Sequence, residues 1–248
     1  MVSYEELGAR IIISFGDGSV FITESTLWGI VVAAVLAVLG IWLGSGLEKI
    51  PKGKQAIAEL IVGWIYNFCD QNLGKENRAY APYIGTIFGF ILLGSSLGVF
   101  GIRPITASLN VTAALAALTF LLIQTSAIRT HGLKGRLKEM CQPYPFMFPL
   151  EVIEACTLPV SLALRLFGNI LGGLIVVDLW MYFMEWLSSH ICDVPFLRAV
   201  TVLPVNAFFD MFEPVIQTYI FTMLTMLNLY TAIKVTESHG QIAQGSRE

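Results

Sequence analysis

From Ala155 to Val177 the chain runs 23 residues with a single charge, Arg165. A stretch this apolar and this long is a membrane-spanning helix in an all-α protein. A guanidinium keeps its proton in proteins, and at a bilayer centre it costs at least roughly 3 kcal/mol. Arg165 is too far from either end of the segment to reach the interface by stretching. It therefore has to face a partner or a water-filled space. At helical spacing it shares one side with Ser161, Gly168, Asn169 and Gly172. That side is small and polar, so another helix can come close to the arginine.

Further charge-free runs cover 26–47, 79–102 and 104–128. With 13% charged residues and a mean hydropathy of +0.70, the chain lies far from the soluble norm of about 25% charged. The apolar runs are continuous rather than alternating, which excludes a membrane β-barrel. The expectation is one membrane domain over 1–248: spans at 26–47, 79–102 and 104–128, then two segments of about 40 residues, 150–188 and 197–236. As straight helices those two would be ~60 Å long against a hydrocarbon core of ~30 Å. Gly172-Gly173 and Pro214 could break them, but no polar loop lies at either place. We expect a tilted, curved helical hairpin with its turn near residue 191. Between 55 and 73, Ala56, Leu60, Trp64 and Phe68 recur every four residues with Glu59, Asn67 and Gln71 between them. This is a membrane-surface helix, or else a rather polar span.

The residues before 26 contain a turn signal, Gly16-Asp17-Gly18, and no evident signal peptide. Lys49, Lys52 and Lys54, and later Arg129, Lys134, Arg136 and Lys138, put the basic loops on one side. By the positive-inside rule the N-terminus is outside and the C-terminus cytoplasmic, which requires the odd number of five spans. Cys69, Cys141, Cys156 and Cys192 form no C-x-x-C pair and read as free thiols, and His131, His190 and His239 form no metal set.

The polar residues within the long segments are the candidate site. With the hairpin turn at 191, Arg165 and Gln217 lie at one depth, and Asn169 and Glu213 at another. Asp210, Glu213 and Gln217 share a face of the second arm; Thr225 and Asn228 read as helix-packing hydrogen bonds. Asp178, Asp210 and Glu213 approach from the outside, and Glu151 and Glu154 from the inside. Acids in series inside a membrane mark ion relays. A permanent cation between them blocks straight passage. The layout is two half-pathways separated by Arg165, which transport nothing without a moving partner. A stand-alone channel or secondary transporter is the alternative, although no internal repeat is present.

Pro159 to Ile170, with Arg-Leu-Phe-Gly-Asn at 165–169, resembles the signature of subunit a of rotary F-type ATP synthases. Glu151 matches an acid of that family, and Gln217-Thr218-Tyr219-Ile220-Phe221 resembles its last-helix motif. Pro104, Thr106 and Asn110 resemble a third motif, at the start of a helix. The resemblance implies a stator that faces the c-subunit ring and offers it two offset half-channels for protons or Na⁺. Arg165 would meet the ring carboxylates, with Gln217 and Asn169 beside it. It further implies peripheral-stalk b subunits, the rest of the F1Fo complex and membrane lipid as partners, a bacterial plasma membrane as location, and no nucleic acid. The chain has no phosphate-binding loop, so it is no enzyme by itself and needs no cofactor. It departs from the family at Leu174, Asp210 and Ser108, where some members carry an acid, a histidine and an aspartate.

Overall fold

A computed structural model describes residues 11–15, 20–45, 48, 53–140, 146, 148–190 and 196–245. The fold is helical. Among the described residues five stretches are long and apolar enough to cross a membrane: Glu24–Gly44, Lys75–Phe100, Leu109–Arg136, Phe148–Ser189 and Phe196–Lys234. Ahead of them a short antiparallel hairpin pairs β1 (Ile11–Phe15) with β2 (Val20–Thr23). Its strands flank the expected turn, whose residues lie outside the described ones. That pairing is an element the turn signal alone did not establish.

Helix α1 (Glu24–Gly44) starts on Thr23, whose Oγ1 accepts from the Thr26 amide, with Glu24 favourable in the first turn. Its apolar side chains are largely exposed, Ile41 by 74%. A soluble monomer does not carry such a surface, whereas hydrocarbon solvates it. At the far end Lys54 Nζ donates to the Trp42 carbonyl and to Ser45 Oγ. Helix α2 (Lys54–Leu73) is not among the spanning candidates. Its entrance is held by Gln55, which accepts from the Glu48 amide and donates to the Glu48 carbonyl and to Glu59. Arg78 Nε then donates to Asp70 at 2.8 Å, fastening the following 3-10 turn (Lys75–Tyr80) back onto α2.

Helix α3 (Ala81–Ser95) tightens into a 3-10 turn over Ser96–Phe100, where a continuous span was expected. A left-handed Gly101, Pro104 and another 3-10 turn (Ile105–Ala107) delay the next helix to Leu109. That helix, α4 (Leu109–Met140), runs on through the basic stretch expected to be a loop, broken only at Gly132, where φ is +71°. Helix α5 (Phe148–Ser189) is continuous over 42 residues, Gly172-Gly173 included. The second arm comprises α6 (Phe196–Ala207), a π-helical turn (Phe208–Phe212) and α7 (Glu213–Gly245).

Two buried clusters hold these helices together. One joins Cys69, Ala81, Ile84, Ile123, Ala127, Met226 and Leu229. The other joins Ile87, Ile91, Leu115, Ala116, Leu162, Ala163, Leu166 and Phe221. The alanines let backbones approach where lipid supplies no hydrophobic drive. Buried Thr218, Thr222 and Thr225 donate to the carbonyls four residues back, so Thr225 satisfies itself within its own helix rather than bridging two. Gly94 makes the tightest approach: a Cβ there would overlap the side chain of Ile105, which has no exposed surface. Gly94→Ala should therefore destabilise by about 1–3 kcal/mol through overpacking, seen as a lowered Tm in detergent.

Candidate functional site

The two arms of the hairpin run antiparallel. Asn169 Nδ2 donates to Gln217 Oε1 at 2.7 Å. One turn further along α5, a Cβ on Gly173 would stand 3.0 Å from Glu213 Oε2 and 2.9 Å from Phe209. Near the connected end Arg198 Nη1 donates to Glu185 at 2.7 Å. The level pairs are thus 169 with 217 and 173 with 213. This register differs by one helical turn from the expected pairing of Arg165 with Gln217 and of Asn169 with Glu213. The Glu185–Arg198 pair keeps the expected register to within one residue, so the offset arises farther along the arms, across the stretch that holds the π-helical turn. By the same offset the second arm presents Phe221, fully buried, at the level of Arg165.

The consequence for Arg165 is electrostatic. Its side chain is half-buried, and Nη1 is buried without a hydrogen-bond partner among the described residues. A buried guanidinium donor left unmatched costs more than a neutral one. Gln217 is 2% exposed; its oxygen is taken by Asn169, and its Nε2 is likewise buried and unmatched. Asn169 itself is exposed on the arginine's side of α5.

A cavity of about 220 Å³ lies beside this pair. Asp178, Asp210, Glu213 and Gln217 line it, together with Ser95, Pro104, Asn206 and Gly173. The structure thus gathers the three acids expected on one side of Arg165 into one space that Gln217 also borders. It does not bring Glu151 or Glu154 there. Those two occupy the start of α5, Glu151 half-buried and Glu154 exposed, ~21 Å along the helix from Arg165 in the case of Glu151.

Two features that hold the acids in place escaped the sequence. Pro214 has no amide hydrogen, and its ring would crowd the carbonyl four residues back in a regular α-helix. The chain widens just ahead of it: the Glu213 amide bonds to the Phe208 carbonyl, five residues back. This π turn changes the direction of Asp210 relative to Glu213, which α-helical spacing cannot anticipate. The second feature is the pair of glycines that receive the acids. A Cβ on Gly98 would stand 2.5 Å from Asp210 Oδ1, as one on Gly173 would crowd Glu213. Gly173 is therefore a contact, not a helix break. Among the described residues no group of three or more His, Cys, Asp or Glu could hold a metal ion. Gly173→Ala should displace Phe209 and Glu213 and destabilise by about 1–3 kcal/mol, whereas Gly168→Ala, with open space around it, should leave the Tm in detergent unchanged.

Comparison with known proteins identifies the family. The family model described as the ATP synthase A chain matches residues 26–230. ATP synthase subunit a of Moorella thermoacetica is 36% identical over 87% of this chain and 92% of its own. The sodium ion specific ATP synthase subunit a of Propionigenium modestum is 33% identical over 77% of this chain and 68% of its own. ATP synthase subunit a 3 of Pelobacter propionicus is 32% identical over 84% and 86%. The family model spans most of the chain, and these relatives are matched over two thirds or more of their own lengths: the chain belongs to the ATP synthase A chain family, the membrane-embedded, ion-translocating subunit a.

Proposed function

We propose that this chain is the stator against which a ring of carboxylate-bearing c subunits turns, and that Arg165 is the charge those carboxylates meet. The observation that carries the reading is the buried, unmatched Nη1 of Arg165. Among the described residues none accepts from it, and by the register of the arms the fully buried Phe221 falls at its level. An ionised carboxylate brought by a moving partner supplies both the countercharge and the acceptor. Once the carboxylate is protonated the attraction falls away, and the ring subunit can move on into lipid.

Two half-channels follow from the distribution of acids. Asp178, Asp210 and Glu213 serve the outer one through the cavity that Gln217 borders. Gln217 lines that cavity, its oxygen held by Asn169 and its Nε2 buried without a partner among the described residues. Glu151 and Glu154 serve the inner one at the opposite end of α5. Arg165 stands between them and repels a cation that would run straight through. We take the ion to be a proton.

The setting follows from the same reading. The hairpin arms are too long for an upright crossing, so they lie steeply tilted, and α2 rests at the membrane surface. The N-terminus faces outside and the C-terminus the cytoplasm of a bacterial plasma membrane. Peripheral-stalk b subunits hold the stator, and the nucleotide chemistry belongs to the soluble part of the F1Fo complex.

Arg165→Ala tests the reading. In the assembled complex in liposomes it should reduce proton-driven ATP synthesis at least about a hundredfold while ATP hydrolysis by the soluble sector persists. Synthesis near the wild-type rate would defeat it. Proton flow through vesicles holding this chain alone would favour a channel instead. At a fixed proton-motive force, synthesis should not depend on Na⁺ concentration. A requirement for Na⁺ would identify Na⁺ as the coupling ion and leave the stator role standing.

A further inference from the structure

Two of the spanning stretches end on a lysine at one place in the fold. Lys75 opens Lys75–Phe100, and Lys234 closes Phe196–Lys234. A cavity of about 400 Å³ lies between these ends, and both lysines line it, together with Glu76, Asn77 and Tyr230. An ammonium group at the end of a span stays with water and headgroups at the membrane boundary. A space bounded by two such ends therefore lies at a membrane surface. By the orientation proposed above, that surface is the inner one.

The lining is held from both sides. Gly74, at φ +81°, turns the chain out of α2. Asn77 closes the turn: its amide donates to the Gly74 carbonyl, and its Nδ2 donates to the Leu73 carbonyl. On α7 the Lys234 ammonium donates to the Tyr230 hydroxyl and stands 4.9 Å from the centre of its ring. Tyr230 and Ile233 pack against the buried cluster that holds Cys69, Ala81 and Leu73. Leu73 and Ile233 also line the cavity, so apolar surface meets two ammonium groups there. The surroundings are positive on balance. The two lysines and Glu76 give the lining a net charge of +1. The His131 ring nitrogen Nε2 lies 3.1 Å from the Ala232 carbonyl, which brings the basic stretch of α4, with Arg129 and Lys134, beside the end of α7. Anionic headgroups are what the inner leaflet offers to such a surface.

We propose that this cavity seats the phosphate of an anionic phospholipid of the inner leaflet, between the ammonium groups of Lys75 and Lys234. Each ammonium donates a charge-assisted hydrogen bond to a phosphate oxygen. The Tyr230 hydroxyl accepts from Lys234 and keeps its own hydrogen to give to the phosphate. A free phosphate ion presents the same oxygens. The lipid is the occupant because the cavity joins the ends of two spans and carries apolar side chains against which acyl chains can start. A lipid held there ties the end of the second hairpin arm to the turn that leads into α3. The inference depends on the orientation above for the choice of leaflet alone, and not on the role of Arg165.

The test titrates the full-length chain, in a neutral detergent, with phosphatidylglycerol, phosphatidylcholine or inorganic phosphate. Native mass spectrometry counts bound lipid, and the Tm follows occupancy. Phosphatidylglycerol should saturate one site and raise the Tm. Phosphatidylcholine, whose phosphate carries its own cation, should bind at least about tenfold more weakly. Lys75→Gln and Lys234→Gln should each weaken phosphatidylglycerol about fivefold, and together about thirtyfold. Both lysines are exposed, so the lipid-free Tm should match the wild type. Lys75→Arg with Lys234→Arg keeps both charges and should keep the binding. Arg129→Gln with Lys134→Gln removes as much charge from the same surface and should leave the affinity unchanged. Equal weakening by that pair would overturn the site and leave only diffuse attraction, and equal binding of the two lipids would overturn it as well. A Tm rise with inorganic phosphate that matches phosphatidylglycerol would overturn the lipid and assign a free anion. Micelles have no leaflets, so none of these results depends on orientation, whose failure shows instead as a C-terminal tag cut by protease from outside the cell.

Discussion

A guanidinium that cannot lose its proton, and that finds no acceptor among the described residues for its buried Nη1, governs the rest of this structure. Inside hydrocarbon such a group demands either an internal partner or an external one. Here the second arm withholds the internal partner. Asn169 rather than Arg165 engages Gln217, and the next level holds Phe221. The one-turn offset between the arms thus decides the chemistry. With Gln217 beside the arginine, the charge would be partly satisfied and its attraction to a passing carboxylate weakened. The amide pair instead fastens the hairpin one turn away and leaves the charge available. In the proposed stator role that availability is what a rotor carboxylate meets.

The same constraint explains why the acids are kept at a distance. Asp178, Asp210 and Glu213 border a cavity that Gln217 lines and Arg165 does not. A carboxylate in contact with Arg165 would form a buried ion pair, strongly favoured once formed, and block the exchange on which a relay depends. Holding the acids apart takes backbone devices rather than more charges. The π turn ahead of Pro214 sets the directions of Asp210 and Glu213, and the bare surfaces of Gly98 and Gly173 receive them. Each device works by making or leaving room, which no hydrophobic pattern records.

Much of the architecture was legible because lipid simplifies the code. Charge-free runs mark α1, α3 and α4; the polarity of 55–73 sets α2 apart from the spans; and the excessive length of the last two segments forces a hairpin. Arg165 stood out because a lone charge in such a run is expensive. What failed was local. Helical spacing assumes 3.6 residues per turn, so it could not see the 3-10 turn after Ser95 or the π turn at 208–212. The depth estimate assumed regular α-helical spacing from a turn at 191; it holds to within one residue at Glu185 and Arg198 but is off by a helical turn at Asn169 and Gln217, beyond the π turn. Gly173 looked like a weak point of the helix because sequence does not show what packs against a glycine. Thr225 looked like a bridge between helices because sequence does not show that its own helix offers an acceptor at the carbonyl four residues back.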